Sequence, residues 1–266
     1  MSVGSNAVKV TAKTALKNNW VKVITICMVL IFTVFISNFV ASLITVLTGR
    51  YLAIAITAFV TVFLTLPLIL GILRYVWRML FSADDNPISV FYWFSSKTLY
   101  KRAMNLVWIL TLRALLWLAV FNLPTVFIYI FSRSFIFDFL NISAPLWTAN
   151  SQFYVFFLEN FAIVATVLAM LKYYIAPVLY VADDNIDARE AVHMSVVISR
   201  KSMADFIFLG FSFFGWIVLS FFILPLIFTM PYMLTAYSVH IRFAIAEYNR
   251  HVEGAQRLQS EGFMAV

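Results

Sequence analysis

Long apolar runs constrain this chain more than any other feature. A membrane-crossing helix needs roughly 20 consecutive apolar residues. Runs of that length lie at about 21–47, 51–73, 104–131 and 153–181. The run 206–246 is too long for one crossing. Pro225 and Pro231 interrupt it, and proline disfavours helix in the residue before it. Split there, it predicts two more spans, 206–229 and 231–246, the last ending at the interface near His240, Arg242 and Glu247. Of the 266 residues, 63% are hydrophobic and only 12% charged, with mean hydropathy +0.93. A soluble domain is about half apolar and about a quarter charged. A chain of this size still exposes much surface, so a soluble core cannot absorb that excess. The expected fold is all-α: one polytopic membrane domain over residues 1–266 with six transmembrane helices.

Lysine and arginine positions set the threading. One side of the six-span arrangement carries fifteen: Lys9, Lys13, Lys17, Lys22, Arg74, Arg78, Lys97, Lys101, Arg102, Arg189, Arg200, Lys201, Arg242, Arg250 and Arg257. The other side carries Arg50 and Arg133. Both termini, including the tail 247–266, are therefore expected in the cytoplasm. The net charge of +7 then reports topology and contact with anionic lipid heads rather than nucleic acid. The first apolar run is about twice the length of a signal-peptide core and lacks a small-x-small cleavage site, so it reads as a retained span. The sequon Asn141-Ile-Ser143 falls in an expected external loop and has meaning only in a secretory-pathway host. The single Cys27 allows neither a disulfide framework nor a thiol pair for a metal.

Three polar segments precede three helical hairpins, at residues 5–20, 84–102 and 183–201. The first places Ala7, Val10, Thr11, Thr14 and Ala15 on one face, with Lys9, Lys13 and Lys17 towards the other. The second and third both follow the letters Ala-Asp-Asp-Asn, at Ala83 and Ala182. Asp84, Asp85, Asp183 and Asp184 suit helix N-termini, where a side-chain oxygen accepts from otherwise unpaired N–H groups. Pro87 fits a first helical position. Such segments predict amphipathic helices lying along the cytoplasmic interface, with Phe91, Tyr92, Trp93 and Phe94 at headgroup level. Either the whole unit repeats three times or the two matching strings are coincidence.

Several polar residues lie inside the expected spans. A charge near the bilayer centre costs roughly 3 kcal/mol on insertion scales and usually faces a partner or a watery cavity. Arg113 and Glu159 sit in neighbouring antiparallel spans at depths that an arginine side chain can reconcile, so a buried pair is expected. That pair would either fix helix register or line a path. Lys172 lies nearer the cytoplasmic end and can snorkel. Asn38 and Asn122 are expected to bond across helices. Pro67, Pro124, Pro177 and Pro225 fall in spans two to five, and broken helices are one way transporters expose backbone to a ligand.

Enzyme signatures are absent: no P-loop, no H-E-x-x-H, no nucleophile elbow and no Gly-rich dinucleotide turn. His193, His240 and His251 are far apart in sequence. The acidic pairs could hold a divalent ion, as in some membrane prenyl-transferring enzymes, but those sites have longer Asp-rich spacing; helix capping explains the residues better. No catalytic residue, metal or cofactor is expected.

The stretch Ala182-Asp183-Asp184, Glu190-Ala191, Ser195, Ser199-Arg200, Met203, Phe208-Leu209, Ser212-Phe213-Phe214-Gly215-Trp216, Pro231-Tyr232 and Thr235 resembles the C-terminal signature of the domain of unknown function 975 family. Ala12-x-x-Ala15-Leu16-x-x-Asn19-Trp20 and Pro67-x-x-x-Gly71 also resemble it, and the chain departs from it before Pro231, where a Gly-rich turn is expected. The resemblance implies a bacterial inner-membrane protein and no particular activity. Together these readings favour a non-enzymatic structural, accessory or lipid-interacting role. Its partners would be membrane lipids and an unidentified membrane protein. The alternatives are a transporter or permease component and, more distantly, an enzyme acting on a lipid head group.

Overall fold

A computed structural model describes residues 4–81, 86–131, 151–220 and 223–260, and every regular element among them is helical. The helices are α1 (Ser5–Leu16), α2 (Trp20–Thr48), α3 (Arg50–Val60), α4 (Leu66–Met79), α5 (Lys97–Phe131), α6 (Ser151–Met170), α7 (Ala176–Ala182), α8 (Ala188–Ser212), α9 (Phe214–Leu219) and α10 (Ile223–Ser260). A π turn at Thr61–Thr65 leads into α4, and 3₁₀ segments occupy Pro87–Phe94 and Leu171–Tyr173.

Among the described residues, four stretches are long and apolar enough to cross a membrane: Trp20–Val46, Tyr51–Met79, Lys97–Ile128 and Gln152–Ala182. The last two expected spans, 206–229 and 231–246, do not join them. The apolar stretch they share is divided among the end of α8, the six residues of α9 and the start of α10. The first half of α8 is polar, and α10 runs on through His240, Arg242 and Glu247. Among the described residues, no further helix there is long and apolar enough. The break falls at Phe213, and α10 passes through Pro231, which sequence reasoning had made a boundary.

The chain divides into two compact units, residues 1–107 with 173–266, and residues 108–172. In the first unit, residues of α1, α2, α4, α8 and α10 share one core, including Val8, Leu16, Val23, Ile26, Ile72, Val76, Leu209 and Val239. Val8, Ala12 and Leu16 recur every four residues, so they share one face of α1, and that face is fully buried. The apolar face expected from Val10 is therefore the wrong one, since Val10 is 63% exposed. Lys9 does not face outward either. Its Nζ donates to the carbonyl of Ser212 (2.9 Å) at the C-terminus of α8, where a cation suits the unpaired carbonyls. Arg242 does the same for the end of α4, donating to Leu80 O (3.1 Å).

The 3₁₀ segment lies against α4. A Cβ added to Gly71 would collide with the carbonyl of Val90, so only glycine permits this approach. Asn86 starts the segment, its side chain accepting from Ile88 N (3.1 Å), with Pro87 in the first turn. Residues 84–102 are thus not one interfacial helix, because α5 begins afresh at Lys97. Asp84 and Asp85 lie outside the described residues. Residues 183–201 do not form a separate helix either: α8 starts at Ala188 and continues past Lys201 to Ser212. The three polar segments therefore fold differently, and the unit does not repeat at the level of elements.

In the second unit, the relevant parts of α5 and α6 expose Leu115, Leu116, Leu123, Phe127, Phe156, Phe161, Val164 and Leu168. Asn122 Nδ2 donates to Leu118 O (2.8 Å) in its own helix, as Asn38 does to Val34 O (2.8 Å) in α2. Neither makes the expected bond across helices, because the carbonyl one turn back is always within reach.

Candidate functional site

The acidic pair Asp183-Asp184 follows the end of α7, and the chain folds it towards two arginines. Arg74 on α4 grips Asp184 with both nitrogens, to Oδ1 at 2.8 Å and Oδ2 at 3.2 Å. Arg102 on α5 donates to the same Oδ1 (3.1 Å) and to the carbonyl of Asp183 (3.0 Å). Two-pronged guanidinium contacts are among the stronger charge-assisted hydrogen bonds. The bonds from Arg74 come first in holding the Asp184 carboxyl below its usual value, with Arg102 adding to them. Asp184 is therefore a tie between α4 and α5, not a cap. Asp183 accepts from Asn185 N (2.8 Å), which makes a local turn. The cap of α8 is Asp187, accepting from Arg189 N (3.3 Å). The expected caps were one short turn too early.

Aromatic rings enclose the tie. The Arg74 guanidinium lies 3.9 Å from the Tyr92 ring centre, and that of Arg102 5.0 Å from the Tyr180 ring. Trp93 is wholly buried and stacks at 6.1 Å on Tyr180, whose hydroxyl donates to Arg102 O (2.7 Å). The expected headgroup-level ring Trp93 is thus turned into the protein, while Phe91 next to it stays exposed.

A second polar cluster was not anticipated from the sequence. The helix entering from α6 tightens to 3₁₀ at Leu171–Tyr173, loses regularity and restarts as α7 with Pro177 in its first turn. Proline has no N–H and disturbs the preceding turn. The carbonyl of Tyr174 in this break accepts from the Tyr237 hydroxyl of α10. The Tyr174 hydroxyl in turn bonds Ser202 Oγ (2.8 Å) on α8 and His240 Nε2 (3.1 Å) on α10. Phe206 stacks on the Tyr174 ring at 4.2 Å. Tyr174, Ser202 and His240 are all buried. The sequence signal was there in Pro177, the lone His240 and the tyrosines around them, but its partners lie 28 and 66 residues apart.

The expected ion pair joining Arg113 to Glu159 is not found among the described residues. Glu159 lies on an exposed face of α6 and Arg113 is half-buried on α5. Opposite charges on adjacent helices meet only if helix rotation brings their faces together, and hydropathy does not set rotation. Lys172 places its ammonium 4.6 Å from the Trp117 ring centre, a cation–π contact.

No curated protein and no solved structure matches the chain. A family model described as protein of unknown function (DUF975) matches residues 1–245, which takes in α1, both polar clusters and the first part of α10. The chain belongs to the DUF975 family.

Proposed function

We propose that this chain is a bacterial cytoplasmic-membrane protein with a structural, accessory or lipid-interacting role and no catalytic activity of its own. The observation that carries this is the fate of Asp184. The acidic residue best placed for chemistry is bound by two guanidiniums, and a carboxylate so held is a poor ligand for a divalent ion. Its work is to tie α4, α5 and the end of α7 together. That argues against an enzyme using the Asp184 carboxylate on a lipid head group. Four long apolar helices among the described residues support residence in a membrane, and four crossings would leave both termini on one side. The lysine and arginine tally assigns that side to the cytoplasm. Trimming of the tail near Arg250 by protease added outside intact cells would overturn the orientation.

One observation favours a second reading, a transporter or permease component. The helix break at Tyr174 is surrounded by Ser202, Tyr237 and His240, and transporters place binding groups at such breaks. The two readings separate in vesicles. Purified protein reconstituted with a pH-sensitive dye inside, under an imposed proton gradient, should leak no faster than protein-free vesicles. A flux that His240→Phe abolishes would overturn the structural reading and establish the second one.

A further inference from the structure

An apolar groove runs between α8, α9 and α10, with a volume of about 450 Å³. That lies within the range of about 300–1,000 Å³ usual for ligand pockets. Phe206, Gly210, Phe213, Met230, Met233 and Tyr237 are among its walls. Its hydroxyls are already used. Thr229 donates to Pro225 O (2.9 Å), Ser220 to Trp216 O (2.8 Å), and Tyr237 to Tyr174 O. The groove therefore offers hydrocarbon no polar competition and offers a polar ligand no handle. Two methionines give it walls that adapt to a flexible guest.

Gly210 shows that the space is not a packing accident of bulky neighbours. It sits inside α8, where glycine is worse than alanine by about 1 kcal/mol. Nothing lies within 4 Å of where its Cβ would be, so no close approach requires glycine. Gly71 is the opposite case, with a backbone carbonyl in that position. At Gly210 the missing side chain leaves the groove open.

Two cations stand beside the groove. Lys9 lies 4.9 Å from the ring centre of Phe213, a groove residue, and Lys13 lies 5.8 Å from the ring of Tyr232, which packs edge-on against Phe213 at 5.1 Å. Both lysines come from α1. An apolar slot with two lysine ammonium groups near its Phe213 end is complementary to one class of molecule, which has a hydrocarbon tail and an anionic head.

We propose that the groove holds one acyl chain of an anionic phospholipid, with its phosphate against Lys9 and Lys13. This rests on the lipid-interacting part of the reading above and adds a place and a head-group charge to it. The probe is the full chain in mixed vesicles of phosphatidylglycerol and phosphatidylcholine, extracted in mild detergent and weighed intact with its retained lipids. The expected result is preferential retention of phosphatidylglycerol. Gly210→Leu fills the groove while improving helix propensity, and should abolish retention with the fold intact by circular dichroism. Lys13→Gln should weaken retention several-fold, as removal of one basic residue near an anionic head does, and Lys13→Arg should restore it. Equal retention of the two lipids, or unchanged retention in Gly210→Leu, would overturn the proposal. So would a lipid-free dimer cross-linked through a Phe206→Cys groove variant, because a second copy would then fill the space. A proton flux in the vesicle assay with lipid retention intact would remove the structural reading and leave this site standing.

Discussion

The two compact units use the same kind of residue in different ways. In the first, apolar side chains meet each other: Val8, Ile72, Val76 and Val239 vanish into a core that draws on five helices. In the second, leucines, phenylalanines and valines of α5 and α6 stay exposed, and only 6% of the most apolar window of the Gln152–Ala182 stretch is buried. Hydropathy marks long stretches of both regions alike as apolar enough to cross a membrane. What differs is the partner: protein for that five-helix core and, for α5 and α6 as for the far half of α2 and α3, whatever surrounds them. An apolar surface of that extent is stable only against hydrocarbon or another chain. In lipid, such helices gain nothing from burial alone and associate through close packing and polar contacts.

The comparison breaks most visibly at Gly71. Gly71→Ala drives a methyl into the Val90 carbonyl, a contact with backbone that cannot swing away. Overpacking of this kind costs about 3 kcal/mol. Thermal unfolding in detergent should show it, with loss of the tertiary signal from Trp93. An unchanged melting temperature would mean that the 3₁₀ segment is not fixed against α4.

Asp184 tests how much the charged tie adds to that packed unit. Its carboxyl is held below the ordinary 3.8, chiefly by its bonds to Arg74. A depressed acid contributes its stability above the unfolded value and loses it as pH falls through the folded value. The side chain is 53% exposed, so about 1 kcal/mol is the expected scale. Asp184→Asn should lose this amount at pH 7, and its stability should fall less than that of the parent below pH of about 4. Superimposable pH profiles would show that the tie contributes nothing.

The smallest effect is expected in the second unit. Arg113→Leu and Glu159→Leu should act independently, with a coupling energy within about 0.5 kcal/mol in a double-mutant cycle of folded yield. A larger coupling would mean that the two charges meet after all.

Much of this was legible in the sequence. Apolar length located the first four long stretches, two of them to within one residue at each end and the other two with an end six or seven residues off, because hydropathy over about 20 residues is a summed signal. The cap at Asn86 and the turn position of Pro87 were also readable, since both are local. Three kinds of information were not. The face of α1 depended on which neighbours arrived, and Val8, Ala12 and Leu16 form a stripe as regular as the one expected from Val10. The partners of Asp184 lie 110 and 82 residues away, beyond any local pattern. The two final spans failed because a moving average cannot see the break at Phe213. The resemblance singled out Gly71, but only the approach of Val90 gives the reason.

The bond from Lys9 to Ser212 spans 203 residues, which makes it a statement about time. A ribosome adding about 5–20 residues per second delivers Ser212 roughly 10–40 s after Lys9. For most of that interval α1 has neither α8 nor α10 to bury Val8 and Leu16 against. The second unit, residues 108–172, is contiguous and has all its parts long before then. The middle of the chain can therefore be finished first, while the two ends wait for each other. A chain truncated before residue 212 leaves its own first helix unplaced, although nothing in that helix has changed.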